Sequence, residues 1–186
     1  MQVNQFLIDV MRMVGRADAA EICLSEEDIS DEIARMRTAL LLCLNAVLDE
    51  LARGYFPLKA REDMSSADGE YAFSSFAHAP YRINRVLSGG KKVKWRAQPL
   101  KLLCNAGNIT VEYEYVPDAL TFESQLSYPH PAVGGALISY GVAAEYMLIE
   151  GDVSCAEMWE SKYRAEIDRQ LSLLPVRGRI PPRRWI

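Results

Sequence analysis

The chain has 186 residues, of which 49% are hydrophobic and 25% charged, with a formal net charge of −4. This is the composition of one globular domain, or of one domain with an insertion, and no internal repeat or low-complexity segment interrupts it. Asp9 and Arg12 break the first apolar run, so a secretory leader is not expected, and no apolar run is long enough to span a membrane. The charge is unevenly spread. Residues 175–186 hold Arg177, Arg179, Arg183 and Arg184 and no acid, so removing those four charges from −4 leaves −8 for the rest. An acidic body argues against a broad DNA-binding face, whereas a basic tail can meet acidic protein or nucleic acid.

In chain order, Val3, Phe6, Leu7, Val10, Met11 and Val14 predict a short amphipathic helix over 3–14, stopped near Gly15. Ala19 to Leu24 extends it or turns. Ser25-Glu26-Glu27-Asp28 resembles a capping box, with Asp in place of the usual Glu or Gln. The helix it would open carries Ile29, Ile33, Met36, Leu40, Leu44, Val47, Leu48 and Leu51 at spacings of three and four, and Gly54 closes it.

After Tyr55-Phe56-Pro57 the period changes to two. Strands are expected at Glu70–Phe73 after an Asp68-Gly69 turn, at Tyr81–Val86, at Lys92–Arg96 beyond Ser88-Gly89-Gly90-Lys91, at Leu100–Leu103 and at Ile109–Val116. Residues 58–117 thus read as one compact antiparallel sheet inserted into a helical body formed by 1–56 and 118–174. The expected fold class is α+β, a helical bundle with a small antiparallel sheet insertion and an extended C-terminal arm at 175–186.

The stretch from Pro131 onward reads as two helices meeting at Glu150-Gly151-Asp152. Prolines at 129 and 131 suit the start of the first. Gly151 suits a left-handed C′ residue, and Asp152 suits the N-cap of the second. So short a link forces an antiparallel hairpin. The second helix carries Ala156, Trp159, Tyr163, Ile167, Leu171 and Leu174 on one stripe. The first is rich in small residues, among them Gly134, Gly135, Gly141 and Ala144. Interior glycines cost about 1 kcal/mol each relative to alanine, which calls for a close backbone approach. That approach is either inside the subunit or between subunits of a ring.

No catalytic constellation emerges. His78 and His130 lie in separate proline-flanked loops without an HExxH or HxE context, and Ser88–Lys92 lacks the spacing and hydroxyl of a phosphate loop. Cys23, Cys43, Cys104 and Cys155 are scattered, which reads as free, reduced, mostly buried thiols without zinc. Carboxylates at 26–32 suit the dipole of a helix N-terminus. Lys92, Lys94 and Arg96 are expected on one strand face, with Trp95 on the other. Tyr113 and Tyr115 are expected to share a face with Val111. The tail differs from all of these: its prolines bar a helix, yet it ends in Trp185 and Ile186, and Trp and Arg are enriched at binding hot spots. It either folds back on its own body or docks in a partner; docking is the reading preferred here.

In order and spacing these features resemble the head–tail connector proteins of tailed bacteriophages, also called portal adaptors. The resemblance rests on the amphipathic N-terminal helices, the sheet around Pro80-Tyr81-Arg82-Ile83, the strand Asn108–Val116, the phrase Tyr140-Gly141-Val142-Ala143-Ala144-Glu145-Tyr146, Met158-Trp159-Glu160 and the terminal Pro-Arg-Arg-Trp. It covers most of the chain. It implies a non-enzymatic structural protein of the virion neck, assembled in the host bacterial cytoplasm, without cofactor, metal or membrane. The implied partners are neighbouring copies in a twelve-fold ring, the portal protein, a tail-side neck protein, and genome DNA passing through the channel without sequence specificity. The residues that would bind the portal are Arg177, Arg179, Ile180, Pro181, Pro182, Arg183, Arg184, Trp185 and Ile186. Those at subunit contacts would be Gly134, Gly135, Gly141 and Ala144, and Gly141→Leu would block assembly while leaving the monomer folded. The sheet departs from the family pattern, since many connectors are almost wholly helical. Two other classes stay open at this stage, a nucleic-acid-binding regulator using the basic tail and an enzyme with an unrecognised site.

Overall fold

The computed structural model describes residues 1–25 and 29–174. The fold is mixed α+β, with five α-helices and two small antiparallel sheets among these residues. Helices α1 (Val3–Met13), α2 (Ala17–Ser25) and α3 (Asp31–Glu50) come first. The apolar stripe of α1 buries Val3, Phe6, Leu7, Val10 and Met11. That of α3 buries Ile33, Met36, Leu40, Leu44, Val47 and Leu48, as its spacing requires. The cap of α3 is not the one expected. Ser30 Oγ accepts a hydrogen bond from the Ile33 amide at 3.4 Å, while Ser25 belongs to the last turn of α2. Glu26, Glu27 and Asp28 lie outside the described residues. Past Glu50 the helix widens into a π turn, Leu51–Tyr55, which contains Gly54.

The sheet region forms two sheets, not one. The strands are β1 (Leu58–Ser65), β2 (Glu70–Ala72), β3 (Pro80–Ser88), β4 (Lys91–Lys92), β5 (Trp95–Ala97), β6 (Lys101–Cys104) and β7 (Asn108–Tyr115). The first sheet has the order β1-β7-β3-β4, the second β2-β6-β5, and every pairing is antiparallel. The expected strand Lys92–Arg96 is where the chain leaves one sheet for the other. Its alternation is therefore split between β4 and β5, and Lys92 and Arg96 belong to different sheets. Between the two sheets lies a core of Tyr71, Phe76, Val86, Leu102, Val111 and Tyr113, among others. Tyr115 packs against this core and also against the larger helical one.

Residues 118–134, expected as part of the helical body, are not themselves helical. They run as an extended connection that borders α1: Gln125 bridges Gln2, and the Val3 amide donates to the Ser124 carbonyl at 3.0 Å. Asn45 holds the same connection from α3, donating to the Leu120 carbonyl at 3.1 Å and accepting from the Leu120 amide at 2.7 Å. Both polar ends of the asparagine are thereby satisfied. Helix α4 (Gly135–Ile149) begins at Gly134, beyond the prolines expected to open it.

The hairpin then follows its sequence signals. Gly151 has φ +80°, and Asp152 Oδ1 accepts from the Cys155 amide at 3.0 Å to cap α5 (Val153–Leu173). Tyr163 and Ile167 of α5 are buried in the helical core with Leu137, Ile138 and Val142 of α4. Leu171 is exposed, so the apolar stripe of α5 fades toward its C-terminal end.

Candidate functional site

The residues expected at subunit contacts separate into two groups. Gly134 and Gly135 are exposed at the start of α4, and no atom of the described residues comes within 4 Å of the place of a Cβ on either. Gly141 is buried. A Cβ there would stand 2.9 Å from both Tyr163 Cε2 and Val47 Cγ1, so the close approach that glycine permits is between α3, α4 and α5 of one subunit. The expectation that Gly141 is a surface contact is therefore corrected. Ala144 is also buried, at the floor of a groove between α4 and α5. The tail residues expected to bind the portal, Arg177 to Ile186, lie outside the described residues.

The α4–α5 groove has an apolar floor and an acidic rim. Leu148 and Val153 are 58% and 55% exposed there. Glu145, Glu157 and Glu160 stand around them. Glu160 pairs with Arg164 at 2.5 Å, whereas Glu145 and Glu157 have no ion-pair partner among the described residues.

A second surface, not foreseen from the sequence, is the outer face of the four-stranded sheet. Alternation along β7 sends Val111, Tyr113 and Tyr115 inward, as expected, and so sends Glu112 and Glu114 to the other face. Register places Lys59 and Arg82 on either side of Glu114, and Arg61 and Arg85 on either side of Glu112. The result is a central row of two carboxylates flanked by two rows of cations. These residues and Asn84 line a depression of about 500 Å³. Glu114 is 6% exposed, the one buried charged residue among those described. It accepts from the Tyr81 hydroxyl at 3.1 Å and from Asn84 Nδ2 at 3.0 Å, with Lys59 and Arg82 each 3.8 Å away. Burial, and then the hydrogen bond to Glu114, push the Tyr81 hydroxyl above its ordinary pKa. Arg85 reaches Glu112 at 3.7 Å, and Arg61 has no ion-pair partner among the described residues. The signal for this face was in the sequence, as the alternation Glu112-Tyr113-Glu114-Tyr115. The cations on β1 and β3 became its neighbours only through register.

The sheets and the helices also differ in charge. Residues 58–117 contain nine Lys or Arg against six Asp or Glu, a net +3. Residues 1–57 and 118–174 together contain eight against nineteen, a net −11.

The remaining reactive groups are engaged in packing. His78 stacks on Tyr115 with ring centroids 4.1 Å apart. His130 packs beside Phe56, and its Nδ1 accepts from the Ala132 amide at 3.2 Å. Burial, and secondarily Lys59, lower the His130 pKa. The four cysteines are free thiols, three buried and Cys155 half-buried. Among the described residues no group of three or more His, Cys, Asp or Glu side chains is placed to hold a metal ion. No described helix is long and apolar enough to cross a membrane. The chain matches no protein-family model and no curated protein.

Proposed function

We propose that this chain is a head–tail connector of a tailed bacteriophage, a structural protein of the virion neck. Copies form a ring, twelve-fold as in the family it resembles, beneath the portal, and the arm at 175–186 docks into the portal. A tail-side neck protein binds the opposite rim, and genome DNA passes through the channel. Assembly takes place in the host bacterial cytoplasm.

The observation that carries this reading is the segregation of charge along the fold. The helical part has a net charge of −11, and the sequence after Leu174 holds four arginines and no acid. An acidic channel wall lets DNA slide, since basic walls would hold phosphates by counterion release. A basic arm ending in Trp185 and Ile186 supplies a hot-spot anchor of the kind that fills a partner's pocket. Presented many times on a ring, arms of modest individual affinity bind by avidity.

The test is co-sedimentation with portal rings. Deleting 176–186 should leave the fold intact and abolish attachment. Trp185→Ala should weaken attachment strongly, and Arg183→Ala should weaken it in a salt-dependent way. Undiminished binding by the truncated protein would overturn the assignment of the arm.

A further inference from the structure

We infer that the outer face of the four-stranded sheet is the docking site for the α4–α5 groove of a second copy of this chain. This inference rests on the ring reading and deepens it by naming the two surfaces that meet. The two differ, so the contact runs head to tail, the type of interface that closes into a ring when its rotation permits.

The case rests on complementary charge and on what each surface lacks. On the sheet, Lys59, Arg61, Arg82 and Arg85 surround two carboxylates, which leaves a surplus of positive charge. The three ion pairs among them are long, 3.7–3.8 Å, and Arg61 has none among the described residues. On the hairpin, Glu145 and Glu157 have no ion-pair partner among the described residues, and they flank the exposed Leu148 and Val153. Lysine and arginine suit such a groove because their stems cover apolar surface while their heads reach carboxylates at its rim. Arginine adds paired hydrogen bonds to a carboxylate. One contact thus covers the exposed Leu148 and Val153 and brings Arg61 to Glu145 and Glu157, none of which has an ion-pair partner among the described residues. Opposite charges on the two surfaces also set register and oppose face-to-face pairing of like surfaces.

The experiment is sedimentation velocity on the full chain at low ionic strength over a range of concentrations, with Arg61→Glu and Glu157→Lys. Both positions are exposed, and circular dichroism checks that each variant is folded. Wild type should associate as concentration rises and dissociate in high salt. Each variant alone should associate at least about tenfold more weakly, since like charges then face each other at every contact. An equimolar mixture of the two should recover association. In it, the altered sheet face of one variant meets the altered groove of the other with opposite charges restored, and the reverse contact is wild type on both sides.

A mixture that associates no better than either variant overturns this interface. So does normal association of either variant alone, which leaves the ring reading standing. Wild type that stays monomeric both alone and on portal rings overturns the interface and the connector reading together. Binding of a short DNA duplex that Arg61→Glu abolishes, with self-association unchanged, assigns the sheet face to nucleic acid and overturns the inference.

Discussion

The Tyr163 hydroxyl of α5 donates a hydrogen bond to Glu50 Oε2, at the end of α3, at 3.2 Å across 113 residues of sequence. Burial holds the Glu50 carboxyl above its ordinary pKa of 4.5; the Tyr163 hydrogen bond opposes this, and Glu160 and Glu145 add to it. A raised carboxyl binds more protons in the folded state than in the unfolded one. Its contribution to stability is therefore fully present below pH 4.5 and is lost as pH rises through the folded value. Glu50→Gln keeps an acceptor for Tyr163 and removes the charge. It should melt slightly higher than wild type at pH 7, by less than about 1 kcal/mol because the residue is partly solvated. The difference should shrink toward pH 4, as read from melting curves at several pH values. A difference that does not vary with pH would refute this account of Glu50.

The Tyr163 ring also limits what position 141 can hold. Gly141→Leu would drive a side chain into Tyr163 and Val47, each already within 2.9 Å of the place of a Cβ. Overpacking of this kind costs about 1–3 kcal/mol, or more where the backbone must move. For a chain of this size that corresponds to a fall of at least about 3 °C in melting temperature. An unchanged melting temperature would place the small side chain's role outside the subunit.

The buried Glu114 should respond to partial deletion. Glu114→Ala leaves the Tyr81 and Asn84 donors without this acceptor and Lys59 and Arg82 without their anion. The expected loss is about 2–3 kcal/mol by urea denaturation with an unchanged slope. Tyr81→Phe should cost less, about 1 kcal/mol, although it also removes the hydroxyl's 3.1 Å bond to the Ala52 carbonyl. A loss from Tyr81→Phe equal to that from Glu114→Ala would mean that the carboxylate matters only through the tyrosine.

The thiols should differ in reactivity. Burial, with Glu145 adding, raises the Cys43 pKa to about 11, so little thiolate is present at neutral pH. Cys23 and Cys104 are buried; Cys155, whose pKa the hydrogen bond with Asp152 also raises, lies half-buried in the first turn of α5, so accessibility sets the order. A thiol reagent should modify Cys155 first in the native protein and all four cysteines in denaturant without reductant. Fewer than four reactive thiols after denaturation would reveal a disulfide or another modification.

What the amino-acid sequence determined by itself is the local structure whose causes are local. The stripes of α1 and α3, the Gly151-Asp152 hairpin and the inward face of β7 follow from periodicity and capping, which act within a few residues. The cap at Ser30 was misplaced because two serines five residues apart offer the same hydroxyl, and only the backbone path selects one. Tertiary structure decided whatever depends on which segments become neighbours. It divided 58–117 into two sheets by routing the chain away from β3 after Lys92. It turned Gly141 inward, because a glycine's place shows only when Tyr163 and Val47 approach it. It gathered Lys59, Arg61, Arg82 and Arg85 around Glu112 and Glu114, since strand register, and no spacing along the chain, sets which charges face each other.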